Sequence, residues 1–286
     1  LLVSAPSRDS VLPFLTIANT GAVSVVSGAS GALLETRILG SGPEQNVGTS
    51  LDVLGDPDGD GRIEAVAGGF ISPGVLWEPL QSTPPFTLPP PSTQGPFGSP
   101  CSRTVAGFGG VGPSHFYIAV GDSEELDDGP GQVTVYSAID GLEAGILTDP
   151  FALFGALGFG NTVVDAGDMD GDGVEDLVVL DRPGSSPDFS ERQWFAFSGN
   201  FGFTALGGDG ASETPFPRRA VKAGDLDGDG LGECWFESVR VFSSGPDVTR
   251  FDAFDVSAGE LRVASFDQLD GLGAGSAVAF AGDTDD

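Results

Sequence analysis

One phrase recurs along the chain, and it constrains the fold more than any other feature. It reads Gly-Asp-x-Asp-Gly-Asp-Gly-x-x-Asp/Glu and stands complete at 55–64, 167–176 and 224–233; a copy starting at Gly282 is cut short at Asp286. The starts at Asp168, Asp225 and Asp283 lie 57 and 58 residues apart, and Asp56 precedes Asp168 by 112, close to two periods. A further copy is therefore due near residue 110. There the chain reads Gly107-Phe108-Gly109-Gly110-Val111-Gly112, with the glycines kept and every carboxylate lost. Self-similarity at such a period marks a repeat architecture. Five units result, three of them with an intact loop.

The segments around the loops have the character of strands. A short apolar run such as Thr162-Val163-Val164 precedes the loop, and one such as Leu177-Val178-Val179-Leu180 or Tyr117-Ile118-Ala119-Val120 follows it. A third run alternates with period two, as in Gln132-Val133-Thr134-Val135-Tyr136 and Gln193-Trp194-Phe195-Ala196-Phe197, and ends in a Ser/Gly turn at 27–31, 137–141 and 198–202. A weaker fourth strand completes the unit. Four short strands per unit without helical periodicity predict an all-β fold, a β-propeller of four-stranded antiparallel blades. The 45 glycines and 21 prolines are then turn punctuation, because 40% of the chain is apolar and clusters between them.

A single domain over 1–286 follows, with units at 48–100, 101–157, 158–215 and 216–273, and a first unit split between 1–47 and 274–286. In that unit Leu1-Leu2-Val3-Ser4-Ala5-Pro6 reads as a second strand and Gly21-Ala22-Val23-Ser24-Val25-Val26 as a third. Ala277-Val278-Ala279-Phe280 supplies the first, so the two chain ends close one blade. The alternative is that the five units are part of a seven-bladed ring. The Pro-rich stretch from Pro79 to Pro100 reads as an edge-blocking loop that replaces the outer strand of the second unit, since proline cannot donate to a ladder. The chain starts without Met, and Arg8 and Asp9 do not suit a signal peptide, so it reads as a mature or trimmed piece of a longer precursor.

The loop chemistry points to a hard cation. Counting the first Asp as position 1, side-chain oxygens at 1, 3, 5 and 9 and a backbone carbonyl at 7 can wrap one ion. Calcium takes six to eight oxygens, and Gly at position 6 permits the sharp turn. The expected ligands are Asp56, Asp58, Asp60, the Arg62 carbonyl and Glu64; Asp168, Asp170, Asp172, the Val174 carbonyl and Asp176; and Asp225, Asp227, Asp229, the Leu231 carbonyl and Glu233. Asp283 and Asp285 begin the truncated copy. Zinc is disfavoured because no Cys or His joins the set, and magnesium is the weaker alternative. Aspartates crowded into one turn repel without a counter-ion, so about three structural Ca²⁺ sites are expected.

Composition removes other classes. With 42 acidic and 12 basic residues the net charge is −30, which repels nucleic acid and anionic membranes. No apolar run is long enough for membrane insertion. Cys101 and Cys234 fall two blades apart and read as free or buried thiols. The lone histidine, His115, reads as a surface or edge residue, and without it no Ser/His/Asp set can be assembled. The acidic run Asp122-Ser123-Glu124-Glu125-Leu126-Asp127-Asp128 reads as a solvated hairpin loop, or as a further cation site. Arg218, Arg219 and Lys222 form the one close basic group.

These loops, with Gly158-Phe159-Gly160-Asn161 before one and Val3-Ser4-Ala5-Pro6 after another, resemble the FG-GAP repeats of integrin α-subunit propellers and their VCBS-type bacterial relatives. The resemblance implies a β-propeller, calcium ligands on the three matching loops and an extracellular or cell-surface setting. It departs in blade number, seven in integrins against five units here, and no integrin ligand site transfers. The function expected is a calcium-stabilised, extracellular binding or adhesion module, non-catalytic and monomeric, with an unknown protein or glycan ligand. The alternatives are a carbohydrate-active enzyme or lectin on the same scaffold, and a structural spacer.

Overall fold

The computed structural model describes residues 1–12, 15–70, 72–90, 104–110, 114–122, 131–150, 158–181, 194–209, 217–226, 228–240, 248–255 and 261–269. Every regular element among them is a β-strand, so none is a helix that could cross a membrane. The first sheet has the order β1(Leu2–Ala5)–β4(Ala22–Val26)–β5(Leu33–Ile38), with a hairpin of β2(Ser10–Leu12) and β3(Leu15–Ile17) between β1 and β4 in the chain. Four four-stranded antiparallel sheets follow, each in sequence order, forming blades 2 to 5 of a β-propeller. Blade 2 is β6(Ser50–Gly55), β7(Glu64–Gly69), β8(Ser72–Trp77) and β9(Phe86–Thr87). Blade 3 is β10(Thr104–Phe108), β11(Tyr117–Asp122), β12(Gln132–Ser137) and β13(Glu143–Leu147). Blade 4 is β14(Thr162–Gly167), β15(Asp176–Leu180), β16(Trp194–Phe197) and β17(Ala205–Asp209). Blade 5 is β18(Pro217–Gly224), β19(Glu233–Arg240), β20(Val248–Asp255) and β21(Leu261–Leu269).

The core is distributed between the sheets, which explains the pattern of the second strands. Successive side chains of a strand point to opposite faces. In β15, Leu177 and Val179 join Phe108, Val133, Phe159, Phe195 and Phe197 between blades 3 and 4. Val178 and Leu180 point the other way and join Met169, Trp194, Cys234 and Phe236 between blades 4 and 5. A strand buried on both faces needs a continuous apolar run, and Leu177-Val178-Val179-Leu180 is such a run. Similar clusters lie between blades 2 and 3, around Leu54, Ile118 and Tyr136, and between blades 1 and 2, around Val23, Val47 and Trp77. Cys234 is buried and free, while Cys101 lies outside the described residues.

Two expectations change here. The Pro-rich stretch does not replace the outer strand of blade 2: Phe86 and Thr87 pair with Leu76 and Val75, and the Leu88 N–H donates to the Gly74 carbonyl at 3.1 Å. Prolines at 84, 85, 89 and 90 confine the pairing to Phe86, Thr87 and Leu88, which still carry N–H groups. Asp122 is not on a solvated loop but buried at the end of β11; residues 123–128 lie outside the described residues. So do Ala277–Phe280, the proposed closing strand of blade 1.

Candidate metal centres

The innermost strands β6, β14 and β18 end alike. Their pairing slips between Val53 and Gly55, Asp165 and Gly167, and Lys222 and Gly224, and each slip ends on a glycine with positive φ (73°, 76° and 74°). Such a bulge turns the chain out of the ladder and delivers the next residue, the Asp at position 1, to the blade end. The decayed unit keeps this turn, with Gly109 at φ 74°, which aligns Gly110 with Asp56, Asp168 and Asp225. A left-handed residue at positions 4 and 6 then curls each intact loop. At Gly59, Gly61 and Gly173 glycine is needed for φ and not for space, because a Cβ there would touch nothing within 4 Å.

The same hydrogen bonds recur in all three intact loops. The position-1 carboxylate accepts from the glycine N–H at position 6: Gly61 to Asp56 Oδ2 at 2.8 Å, Gly173 to Asp168 Oδ2 at 2.8 Å and Gly230 to Asp225 Oδ2 at 2.9 Å. The position-5 carboxylate accepts from the N–H at position 7: Arg62 to Asp60 at 2.9 Å, Val174 to Asp172 at 2.8 Å and Leu231 to Asp229 at 2.9 Å. These bonds leave carboxylate oxygens converging. One oxygen each from Asp56, Asp58 and Glu64 lies within 4.8 Å of the others, as do those of Asp168, Asp170 and Asp176, and of Asp225, Asp229 and Glu233. The Arg62 side chain bonds to Glu78 at 3.0 Å and also lies 3.5 Å from Oδ2 of Asp60 in its own loop. Asp227, Asp283 and Asp285 lie outside the described residues.

The position-9 carboxylates are buried against the blade. Asp176 accepts from Met169 N and Gly199 N, both at 2.8 Å, and Glu233 accepts from Leu226 N at 2.5 Å. Glu64 keeps a buried Oε2 with no hydrogen-bond partner, and Asp56 keeps a buried Oδ1 of the same kind. A buried, unmatched carboxylate oxygen is costly and calls for a cation or a proton. Burial first, then the carboxylates of Asp58, Asp60 and Asp56, push the Glu64 carboxyl up to about 7. Burial also raises Asp176 to about 7, against the two backbone N–H groups and with Asp170 and Asp172 adding to the rise. This donor set, all oxygen and rich in carboxylate, fits a hard divalent cation.

The structure also assembles a second cluster that the sequence did not reveal. His115 is not a surface residue: it is buried, with Nδ1 2.8 Å from Glu175 Oε2. Lys222 Nζ donates to Glu175 Oε1 at 2.6 Å and to Asp165 Oδ2 at 2.8 Å. Lys222 is thus neutralised by blade 4 and is not a free basic rim. Burial works against the imidazolium and the ammonium, but the surrounding carboxylates outweigh it and raise both His115 and Lys222. Glu175 is held below the usual carboxylate range because His115 and Lys222 outweigh its burial, whereas burial wins at Asp165 and raises it. A glycine makes room for this contact, since a Cβ on Gly107 would stand 2.7 Å from the imidazole Cδ2. Asp52, Asp165, Arg219 and Lys222 also line a cavity of about 670 Å³ between β6, β10, β14 and β18. The signal in sequence was the register: Lys222 and Asp165 occupy the same place in their strands, two residues before the bulge glycine.

No protein-family model matches the chain, and no curated protein matches it. Among solved structures it is similar to Sqt1 of Saccharomyces cerevisiae, with a TM-score of 0.53 and 9% identity over 87% of this chain and 57% of that one. It is also similar to BBS1N in complex with ARL6DN, with a TM-score of 0.47 and 11% identity over 78% and 57% of the two chains. The chain therefore spans less than two thirds of either structure. At this identity the likeness to Sqt1 shows the fold alone, a β-propeller. It also corrects the setting expected above. The extracellular or cell-surface location rested on an integrin-type resemblance, and the match to Sqt1, which is not an integrin propeller, points away from it.

Proposed function

We propose that this chain is a binding propeller with FG-GAP-type repeats whose blades 2, 4 and 5 are fastened by calcium. The observation that carries this reading is the threefold recurrence of one carboxylate frame, with a buried, unpartnered Glu64 oxygen in the first copy. Asp56, Asp58, Asp60 and Glu64, with their counterparts in blades 4 and 5, would hold the ion, which supplies positive charge to carboxylates that otherwise repel. The peptide at position 7 links the ligand residues at 5 and 9, and its carbonyl suits a flexible oxygen shell better than the strict octahedron of magnesium. The residues themselves orient and dehydrate the site: Gly61 N–H aims Asp56, and the blade buries Glu64. Each loop joins the first and second strands of its blade, so the ion secures a hairpin whose core is thin. A protein or glycan would then bind to surfaces that these hairpins hold in place.

The test is thermal. At tenfold saturation each ion adds roughly 1.4 kcal/mol, about 4 kcal/mol for three sites. For a chain of this size that is a shift on the order of 10 °C. EDTA should lower the melting temperature by this much, calcium should restore it, and magnesium should restore less. An unchanged melting temperature would refute the calcium fastening. Protein and glycan arrays probed with and without calcium then test the binding role, and flat binding everywhere would point to a spacer.

A further inference from the structure

The metal loops touch one another as well as their own blades. Gly232, at position 8 of the blade 5 loop, donates its N–H to the carbonyl of Asp168, the position-1 residue of the blade 4 loop, at 2.6 Å. The next pair repeats this bond: Glu175, at position 8 of the blade 4 loop, donates to the Gly110 carbonyl at 3.1 Å. There the line of metal loops ends, because the blade 3 loop has glycines where the aspartates stood. The blade 2 loop meets that decayed loop through Asp56 N and Ser114 Oγ at 3.2 Å. Two intact loops are therefore in direct contact, and the third is separated from them by a loop with no carboxylates.

The contact between blades 4 and 5 is close. A Cβ on Gly232 would stand 2.7 Å from the Ala166 carbonyl and 3.1 Å from Gly167 Cα, so the two backbones meet with no room for a side chain. Leu231 adds a second contact, with Cδ2 3.1 Å from where a Cβ on Gly171 would stand. Gly232 lies between two ligand positions of its own loop, the Leu231 carbonyl and the Glu233 carboxylate. A cation that fixes residues 231 and 233 also fixes the N–H that anchors Asp168.

We infer that the cation sites of blades 4 and 5 bind cooperatively through the Gly232–Asp168 contact, while the site of blade 2 binds independently. This inference rests on the calcium reading above. Ordering one loop removes part of the ordering cost of the other, which is positive coupling, and linkage makes it reciprocal. Repulsion between the ions opposes it weakly. The blade 4 loop alone carries Asp168, Asp170, Asp172, Glu175 and Asp176, so it stays net negative with one divalent ion bound.

The experiment is calorimetric titration of the full chain with Ca²⁺ in an Asp56→Asn/Asp58→Asn background, which removes the blade 2 site. Two ions should bind with a Hill coefficient of about 1.4 or more, which corresponds to about five-fold coupling, the lower end of the usual range. Adding Asp225→Asn should leave one ion, bound about five-fold more weakly than that site binds when its neighbour is filled. Adding Gly232→Ala instead should keep two ions and return the Hill coefficient to about 1; Leu231→Ala serves the same purpose if Gly232→Ala does not fold. Two ions bound with a Hill coefficient of 1 or below before either change would overturn the coupling and leave the calcium reading intact. No bound ions at all would overturn both.

Discussion

Replacing Lys222 by Met tests whether the charge cluster joins blades 3, 4 and 5 as described. Met keeps the length and much of the volume of the side chain, including its packing beside Gly167, where a Cβ would lie 3.3 Å from Lys222 Cε. It removes the ammonium that lies 2.6 Å from Glu175 and 2.8 Å from Asp165. Breaking a fully buried pair costs about 3–5 kcal/mol, and an exposed pair contributes about 1 or less. Lys222 is 37% exposed and its partners are 15% and 19% exposed, which places the loss at roughly 2 kcal/mol, or about 4–8 °C. The sign of the pH dependence follows from the partners. Without the ammonium, Asp165, already raised by burial, rises further, and Glu175 keeps only His115 against its own burial, so the folded variant retains protons that the unfolded chain releases at mildly acidic pH. Its stability therefore falls as pH rises through that window. Urea melts followed by tryptophan fluorescence, at saturating calcium, should show the larger loss at pH 8 and the smaller at pH 5. A loss equal at both pH values, or no loss, would refute the electrostatic account.

Phe159→Ala removes a fully buried ring that meets Phe195 and Phe197 with centroids 5.5 and 6.1 Å away between blades 3 and 4. A cost of about 3–5 kcal/mol is expected in chemical denaturation, and a cost below about 1 kcal/mol would show that the two sheets do not share this core. Calcium affinity should fall as pH drops below about 7, because Glu64 and Asp176 hold protons there that the ion must displace. Titrations at pH 8, 7 and 6 should show a decline approaching about ten-fold per unit for each proton released. A flat profile would contradict the burial of these two carboxyls.

The readable parts were those that repeat or alternate. Gly-Asp phrases at a fixed period located the blade ends, and Leu177-Val178-Val179-Leu180 declared a strand buried on both faces. The outer strand of blade 2 was missed because prolines dominate its composition, while only Phe86, Thr87 and Leu88 were needed to pair. His115 was misjudged because its burial depends on Gly107 and on carboxylates from another blade. In sequence, Asp165 and Lys222 are 57 residues apart, and nothing local marks them as partners.

Local spacing therefore determined the strands and the converging aspartates, since each depends on residues close together in the chain, and the return of those local phrases at a fixed period determined the repeat. Only the tertiary structure decided which loops meet and which charges are paired. Those contacts arise where neighbouring blades pack, and their partners come from different units: Gly232 on Asp168, His115 on Glu175, and Lys222 between Glu175 and Asp165. The balance of burial against neighbouring charge then set the charge states: burial wins at Asp165 and raises it, whereas His115 and Lys222 outweigh burial at Glu175 and lower it, although both carry the same kind of carboxyl and share one lysine.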